Sequence, residues 1–215
     1  MLSISKFSLM YRDKKLFENL ELPKLCNHNI VYIYGENGSG KTSLLRSICS
    51  LEKYKGNITY SGKIFYVFND PPFYDNNSGL DNLVVFSKKR KSKILDYLQE
   101  NDYLFLSINK LQDKAINYSC GERKLLAFML ALVCDTSIYL LDEFLSGLDQ
   151  LQRYKCINVL NNIKKESIII MTGHEHIYLD IANIYYCIDK GKLVNQTRSE
   201  IDRYFALCKN NEDGE

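Results

Sequence analysis

The stretch "IVYIYGENGSGKTSLLRSI", residues 30–48, decides the fold. An apolar, β-branched and aromatic run leads into "GENGSGKT" (35–42), and an apolar helical pattern follows it. The eight residues fit G-x-x-x-x-G-K-[ST] without mismatch, and the strand–loop–helix setting is the one that pattern requires. Gly35, Gly38 and Gly40 let successive amides turn inward around phosphate oxygens. Glu36, Asn37 and Ser39 fill the loop between them. The helix N-terminus adds unpaired N–H groups and a positive dipole end. Lys41 is placed to bridge the β- and γ-phosphates of a nucleotide, and the Thr42 hydroxyl to ligate Mg²⁺.

Outward from this loop, similar apolar runs recur at 63–68 (KIFYVF), 137–142 (SIYLLD), 167–172 (SIIIMT) and 183–188 (NIYYCI). They are continuous rather than alternating, as strands covered on both faces are. Helical patterns at 41–51, 80–100, 119–134, 150–164 and 199–208 lie between them. Strands interleaved with helices predict an α/β fold, with a mixed and mostly parallel sheet. The first 25 residues read as two strands around "YRDKK", an antiparallel β flank. Residues 70–118 hold helical patterns but no convincing buried strand, and are expected to form an inserted helical subdomain. The basic run 88–93 is expected to be a solvated helix face, with a patch facing a membrane or partner as the alternative. Residues 209–215, "KNNEDGE", are expected to fray. We find no repeat and no Pro/Gly linker, so residues 1–215 are expected to form a single domain.

Composition narrows the function. A net charge of +2 over 215 residues gives no electrostatic case for nucleic acid. Seven scattered cysteines include no C-x-x-C pair, which argues against zinc and for reduced thiols in a cytoplasmic compartment. The N-terminal residues lack the charged–apolar–small order of a secretory signal, and no apolar run approaches the ~20 residues of a membrane span.

A phosphate loop needs carboxylate partners. "IYLLDE" (138–143) supplies them at a strand end: Asp142 can hold Mg²⁺ directly or through water, and Glu143 can act as general base on the attacking water. The cluster "YSCGER" (118–123) opens another apolar helix, with Ser119 as N-cap and Glu122 three residues on. A cap alone would not require Gly121, because glycine lowers helix stability.

The order of phosphate loop, "YSCGE", "LLDE", "SGLD" (146–149) and "GHE" (173–175) resembles the ATP-binding-cassette ATPases over nearly the whole chain. The resemblance implies a P-loop NTPase with an ABC-type ATPase core. It implies two ATPase subunits paired head to tail, either a second copy or a related chain. The signature Ser119, Cys120, Gly121 and Glu122 would then act in trans, leaving a helix end open to the γ-phosphate of the partner's nucleotide. It further implies ATP and Mg²⁺ as ligands and Asp149 at the subunit interface. His174 matches the γ-phosphate switch histidine, in preference to His176, and Glu175 takes the place of its acidic neighbour. Tyr11 stands where the family often stacks an aromatic ring on adenine. His28 matches no role and reads as a turn residue.

Three positions depart from the family pattern. Asn69 stands for the usual glutamine, one methylene shorter, as a nucleotide-site and metal residue between sheet and helical lobe. Cys120 replaces a signature glycine and adds bulk facing the nucleotide. Phe144 replaces a proline in "DEFLSGLD" (142–149). The resemblance implies an ATPase that works at the inner face of a membrane through a separate transmembrane permease. The compactness and two of these departures, Asn69 and Cys120, are similar to the haem-exporter ATP-binding subunits of cytochrome c maturation. Only 77 residues separate Lys41 from Ser119, which leaves no room for the coiled coil of DNA-repair members. A non-transport ATPase of iron–sulfur assembly remains the alternative.

Overall fold

The computed structural model describes residues 1–11, 14–174 and 176–212, with side chains through residue 206. The strands are β1 (Leu2–Tyr11), β2 (Lys14–Leu25), β3 (Ile30–Tyr34), β4 (Lys55–Tyr60), β5 (Ile64–Val67), β6 (Ile138–Asp142), β7 (Ile168–Thr172), β8 (Ile184–Asp189) and β9 (Lys192–Gln196). The helices are α1 (Lys41–Ile48), α2 (Gly79–Ser87), α3 (Lys91–Glu100), α4 (Ile108–Gln112), α5 (Cys120–Val133), α6 (Gln150–Ile163) and α7 (Arg198–Glu212).

Two sheets form. The larger has the order β5-β6-β7-β3-β8-β9, parallel throughout except for the last pair. The smaller, β2-β1-β4, is antiparallel. The mixed, mostly parallel sheet and its antiparallel flank are therefore as expected.

β3, β6 and β7 are buried along their whole length because each face meets its own core. Val31, Ile33, Ile138, Leu140, Ile168 and Ile170 point toward the small sheet and α1. Tyr32, Tyr34, Tyr139, Leu141, Ile169 and Met171 point toward α5 and its neighbours. The period-2 alternation is thus between two apolar environments rather than between core and water. Parallel pairing brings the carboxyl ends of β5, β6, β7 and β3 to one edge, where an open α/β sheet binds ligands.

Two expectations need correction. The helical pattern 80–100 is two helices: Lys88 adopts φ +58° and caps α2, so Lys88–Arg90 form a break and only Lys91 and Lys93 lie on α3. Lys89 pairs with Asp135 at 2.8 Å. β4 and β9 were not expected; both are largely exposed and carry little apolar signal. α7 runs through Glu212, and residues 213–215 lie outside the described part. Among the described residues no helix is long and apolar enough to cross a membrane.

Candidate functional site

The loop 35–42 joins β3 to α1 at the carboxyl edge of the sheet. Gly38 and Gly40 adopt φ +75° and +107°, a region that side chains rarely occupy. Gly40 is doubly constrained, since a Cβ there would lie 2.8 Å from the Phe17 ring. The Lys41 ammonium donates to the carbonyls of Gly35 (2.8 Å) and Glu36 (3.1 Å). Burial lowers its pKa, opposed by the charges of Glu143 and Asp142. The Ser39 hydroxyl is buried inside the loop with no hydrogen-bond partner. A buried polar atom of this kind calls for a ligand that can pair with it. A phosphate oxygen fits, because the loop amides and Lys41 supply the rest of an anion cradle. A cleft of about 320 Å³ beside the loop is lined by Tyr11, Asn37, Gly38, Lys41, Thr42 and Glu143 among others.

Asp142, at the end of β6, is only 2% exposed. Its two carboxylate oxygens accept from different hydroxyls, Tyr66 at 2.8 Å and Thr172 at 2.6 Å. Thr172 is its register partner on β7, and Tyr66 reaches it from β5. Burial first, then the charge of Asp142, raises the Tyr66 pKa, so the phenol stays protonated and donates. Each carboxylate oxygen keeps acceptor capacity on its other lone pair. Among the described residues no group of three or more His, Cys, Asp or Glu could hold a metal alone. The oxygens of Asp142 and Thr42, completed by phosphate oxygens, are the donor set that Mg²⁺ prefers.

Glu143 follows with φ +46°, left-handed for a non-glycine residue. Its N–H donates to the Thr172 carbonyl at 3.1 Å, which fixes the backbone against β7. The carboxylate accepts from the Asn69 amide nitrogen at 3.3 Å and lies 3.5 Å from Nε2 of His174. Asn69 therefore touches the proposed base directly, and metal ligation would fall to its Oδ1. His174 follows a closely packed glycine. The Tyr32 hydroxyl donates to the Gly173 carbonyl at 3.0 Å, and a Cβ on Gly173 would fall 2.3 Å from the Tyr178 ring. His176 sits elsewhere, 3.1 Å from Asp202 on α7. Glu175 lies outside the described residues.

Burial, then the charge of Lys41, lowers the His174 pKa, while Glu143 pulls it up. At neutral pH the imidazole is uncharged and its contact with Glu143 is not an ion pair. The folded chain binds this proton more weakly than the unfolded chain does. The linked stability is complete above the ordinary value and is lost as pH falls through the lower folded value. Proton NMR of the nucleotide-free chain, with the signal assigned by a His174→Gln variant, should give a midpoint below the ordinary ~6.5. A midpoint at or above that value would mean that burial and the charge of Lys41 do not outweigh Glu143 at this imidazole.

Ser119 and Glu122 form a complete capping box within the chain. Ser119 Oγ accepts from the Glu122 N–H at 3.2 Å, and Glu122 accepts from the Ser119 N–H at 2.8 Å. The cap expected at Ser119 and Glu122 is thus present, and the Ser119 hydroxyl keeps its own proton to donate. The thiol of Cys120, an exposed residue, points at the Asn69 carbonyl of its own chain, 3.8 Å away. Gly121 has an internal reason as well: a Cβ there would lie 2.8 Å from the Gly147 carbonyl. Asp149 caps α6, accepting from the Gln152 N–H at 2.8 Å. Phe144, in the place of the proline, is fully buried with its ring 4.8 Å from that of Phe128.

Sequence reasoning missed Tyr66, Thr172 and Lys124. The first two end or approach strand termini beside Asp142, and that position was their only signal. Lys124 is 2% exposed and donates to the backbone carbonyls of Glu143 and Ser146, although a lysine in an amphipathic pattern reads as surface.

The ABC transporter family model matches residues 19–146. The zinc import ATP-binding protein ZnuC of Wolbachia pipientis wMel is 28% identical over 230 residues, covering 96% of this chain and 90% of that protein. The cytochrome c biogenesis ATP-binding export protein CcmA of Rickettsia bellii is 29% identical over 197 residues, covering 86% and 98%. The ATP-binding cassette MJ0796, solved as a dimer in a post-hydrolysis state with ADP and Pi, superposes with a TM-score of 0.82 at 18% identity, over 92% of this chain and 98% of that one. The family match spans the phosphate loop, the Ser119 helix and the Asp142–Glu143 strand end, and the chain belongs to the ABC transporter family as an ATP-binding, ATP-hydrolysing domain.

Proposed function

We propose that two copies of this chain, or this chain and a related one, enclose two Mg·ATP between them and drive a separate membrane permease. The observation that carries this reading is the convergence of Lys41, Asp142, Glu143 and His174 at one sheet edge, around a loop whose Ser39 hydroxyl has no partner. In this reading Lys41 and the loop amides hold the phosphates. Thr42, Asp142 and Oδ1 of Asn69 are the donors for Mg²⁺, which when bound offsets phosphate charge. Glu143 accepts a proton from water as the water oxygen bonds to the γ-phosphorus and the bond to the ADP oxygen breaks. The neutral His174 presents an N–H to the γ-phosphate oxygens. Ser119 and Gly121 complete each site from across the interface, and the helices between residues 70 and 118, as a subdomain of the single domain, transmit closure to the permease. The chain would then sit at the inner face of the membrane through that partner.

Haem export for cytochrome c maturation is supported by the match to CcmA over 98% of that protein's length, with the same compact size. Zinc import is the second reading, supported by the ZnuC relatives, one of them matched over 96% of this chain. Tagged chain recovered from detergent-solubilised membranes should bring down a polytopic partner. Depletion then separates the cargos: loss of c-type cytochromes with normal zinc uptake supports haem, and the reverse supports zinc. Recovery of the chain without any polytopic protein would refute the transport reading and favour the iron–sulfur-assembly alternative.

A further inference from the structure

The helix that begins at Ser119 does more than present its tip. Gly121, Lys124 and Phe128 recur at helical spacing, so they share one face of α5. That face lies on the loop after Glu143. Gly121 meets the Gly147 carbonyl, and Phe128 packs on Phe144. Between them, the Lys124 ammonium donates to the carbonyl of Glu143 at 2.8 Å and to that of Ser146 at 3.0 Å. An ammonium has donors only, so it suits a site made of carbonyl oxygens. Charge-assisted bonds of this kind are stronger than neutral ones. Glu143 needs such support, because a non-glycine residue at φ +46° persists only where its surroundings hold it there.

We propose that Lys124 is a positioning residue for the catalytic carboxylate. It clamps the carbonyl of Glu143, and so aims the side chain that the function proposed above uses as the base. The inference rests on that reading. The same helix carries the signature tip about 7.5 Å away along its axis, five residues at ~1.5 Å each. A shift of α5 when its tip engages a nucleotide is therefore felt directly at the carbonyl of Glu143 in the same chain. A second path closes the circuit: Cys120 contacts the Asn69 carbonyl, and the Asn69 amide contacts the Glu143 carboxylate.

The test is a double-mutant cycle on the full chain with Mg·ATP. Lys124→Met keeps the aliphatic stem and removes the donors. It should lower kcat by at least about fivefold while leaving KM and nucleotide affinity within about twofold. In a Glu143→Gln background the same change should leave the residual turnover within about twofold, because the group being aimed is already gone. A smaller effect on the parental chain overturns the proposal. So does an equal loss in both backgrounds, which would mean that Lys124 acts on the fold and not on the base. If Lys124→Met does not fold, by circular dichroism, Lys124→Leu, which also carries no donor, takes its place in the same cycle under the same criteria. Parental turnover is measured alongside: its absence refutes the proposed function and this inference with it, whereas parental turnover without the expected pattern refutes this inference alone.

Discussion

Replacing Glu143 by Gln should lower ATP turnover by at least ~100-fold and leave nucleotide binding in place, because general-base catalysis contributes roughly 10²–10⁴-fold. The substitution is close to isosteric. Glutamine still has a side-chain oxygen to accept from the Asn69 amide, now 3.3 Å from the carboxylate, and the φ +46° backbone still rests on the Thr172 carbonyl. What it loses is the capacity to take a proton. The phosphate loop is untouched, since Lys41 is anchored by the Gly35 and Glu36 carbonyls rather than by Glu143. The variant should bind ATP with parental affinity by equilibrium titration, release almost no phosphate, and shift to a dimer on size-exclusion with ATP. Phosphate release at the parental rate would remove Glu143 from the role of base.

The parts of this arrangement that were legible in the sequence are those where one physical demand acts alone. The loop 35–42 was legible because glycine placement and lysine register leave few alternatives. The buried strands were legible because double coverage makes them continuously apolar. β4 and β9 were not, because edge strands facing water on one side lose that signal; β4 is exposed at five of its six positions. The break at Lys88 was hidden because a basic run fits a helix surface as well as it fits a left-handed cap. The network around Asp142 was out of reach for a different reason. Tyr66 and Thr172 lie 76 and 30 residues from Asp142 in sequence, and only the strand order β5-β6-β7 brings them together. Gly121 carries a packing demand that sequence cannot show, since a Cβ there would lie 2.8 Å from the carbonyl of Gly147, 26 residues on.

Changing Ser119 to Arg should abolish turnover, by more than ~100-fold, without weakening ATP binding to the isolated chain. Two effects compete to explain such a loss, and their sizes separate them. Arginine cannot replace the N-cap oxygen that accepts from the Glu122 N–H, so the capping box is broken. Losing a cap costs about 1 kcal/mol, which lowers the urea midpoint but leaves a domain of ordinary stability folded. A hundredfold fall in rate corresponds to ~2.7 kcal/mol of barrier, more than the cap supplies, and a folded enzyme does not convert lost stability into lost kcat. The excess must come from the hydroxyl and the space around it, where the bulky guanidinium would stand between two copies. Ser119→Asn is the matched control: it keeps a capping oxygen and should hold the urea midpoint while still losing much of the turnover. Binding of ATP to the Ser119→Arg monomer distinguishes a cis from a trans element. Parental affinity there, with turnover and ATP-dependent dimer both lost, places the serine at the nucleotide of the other subunit. Weakened monomer binding would place it at its own.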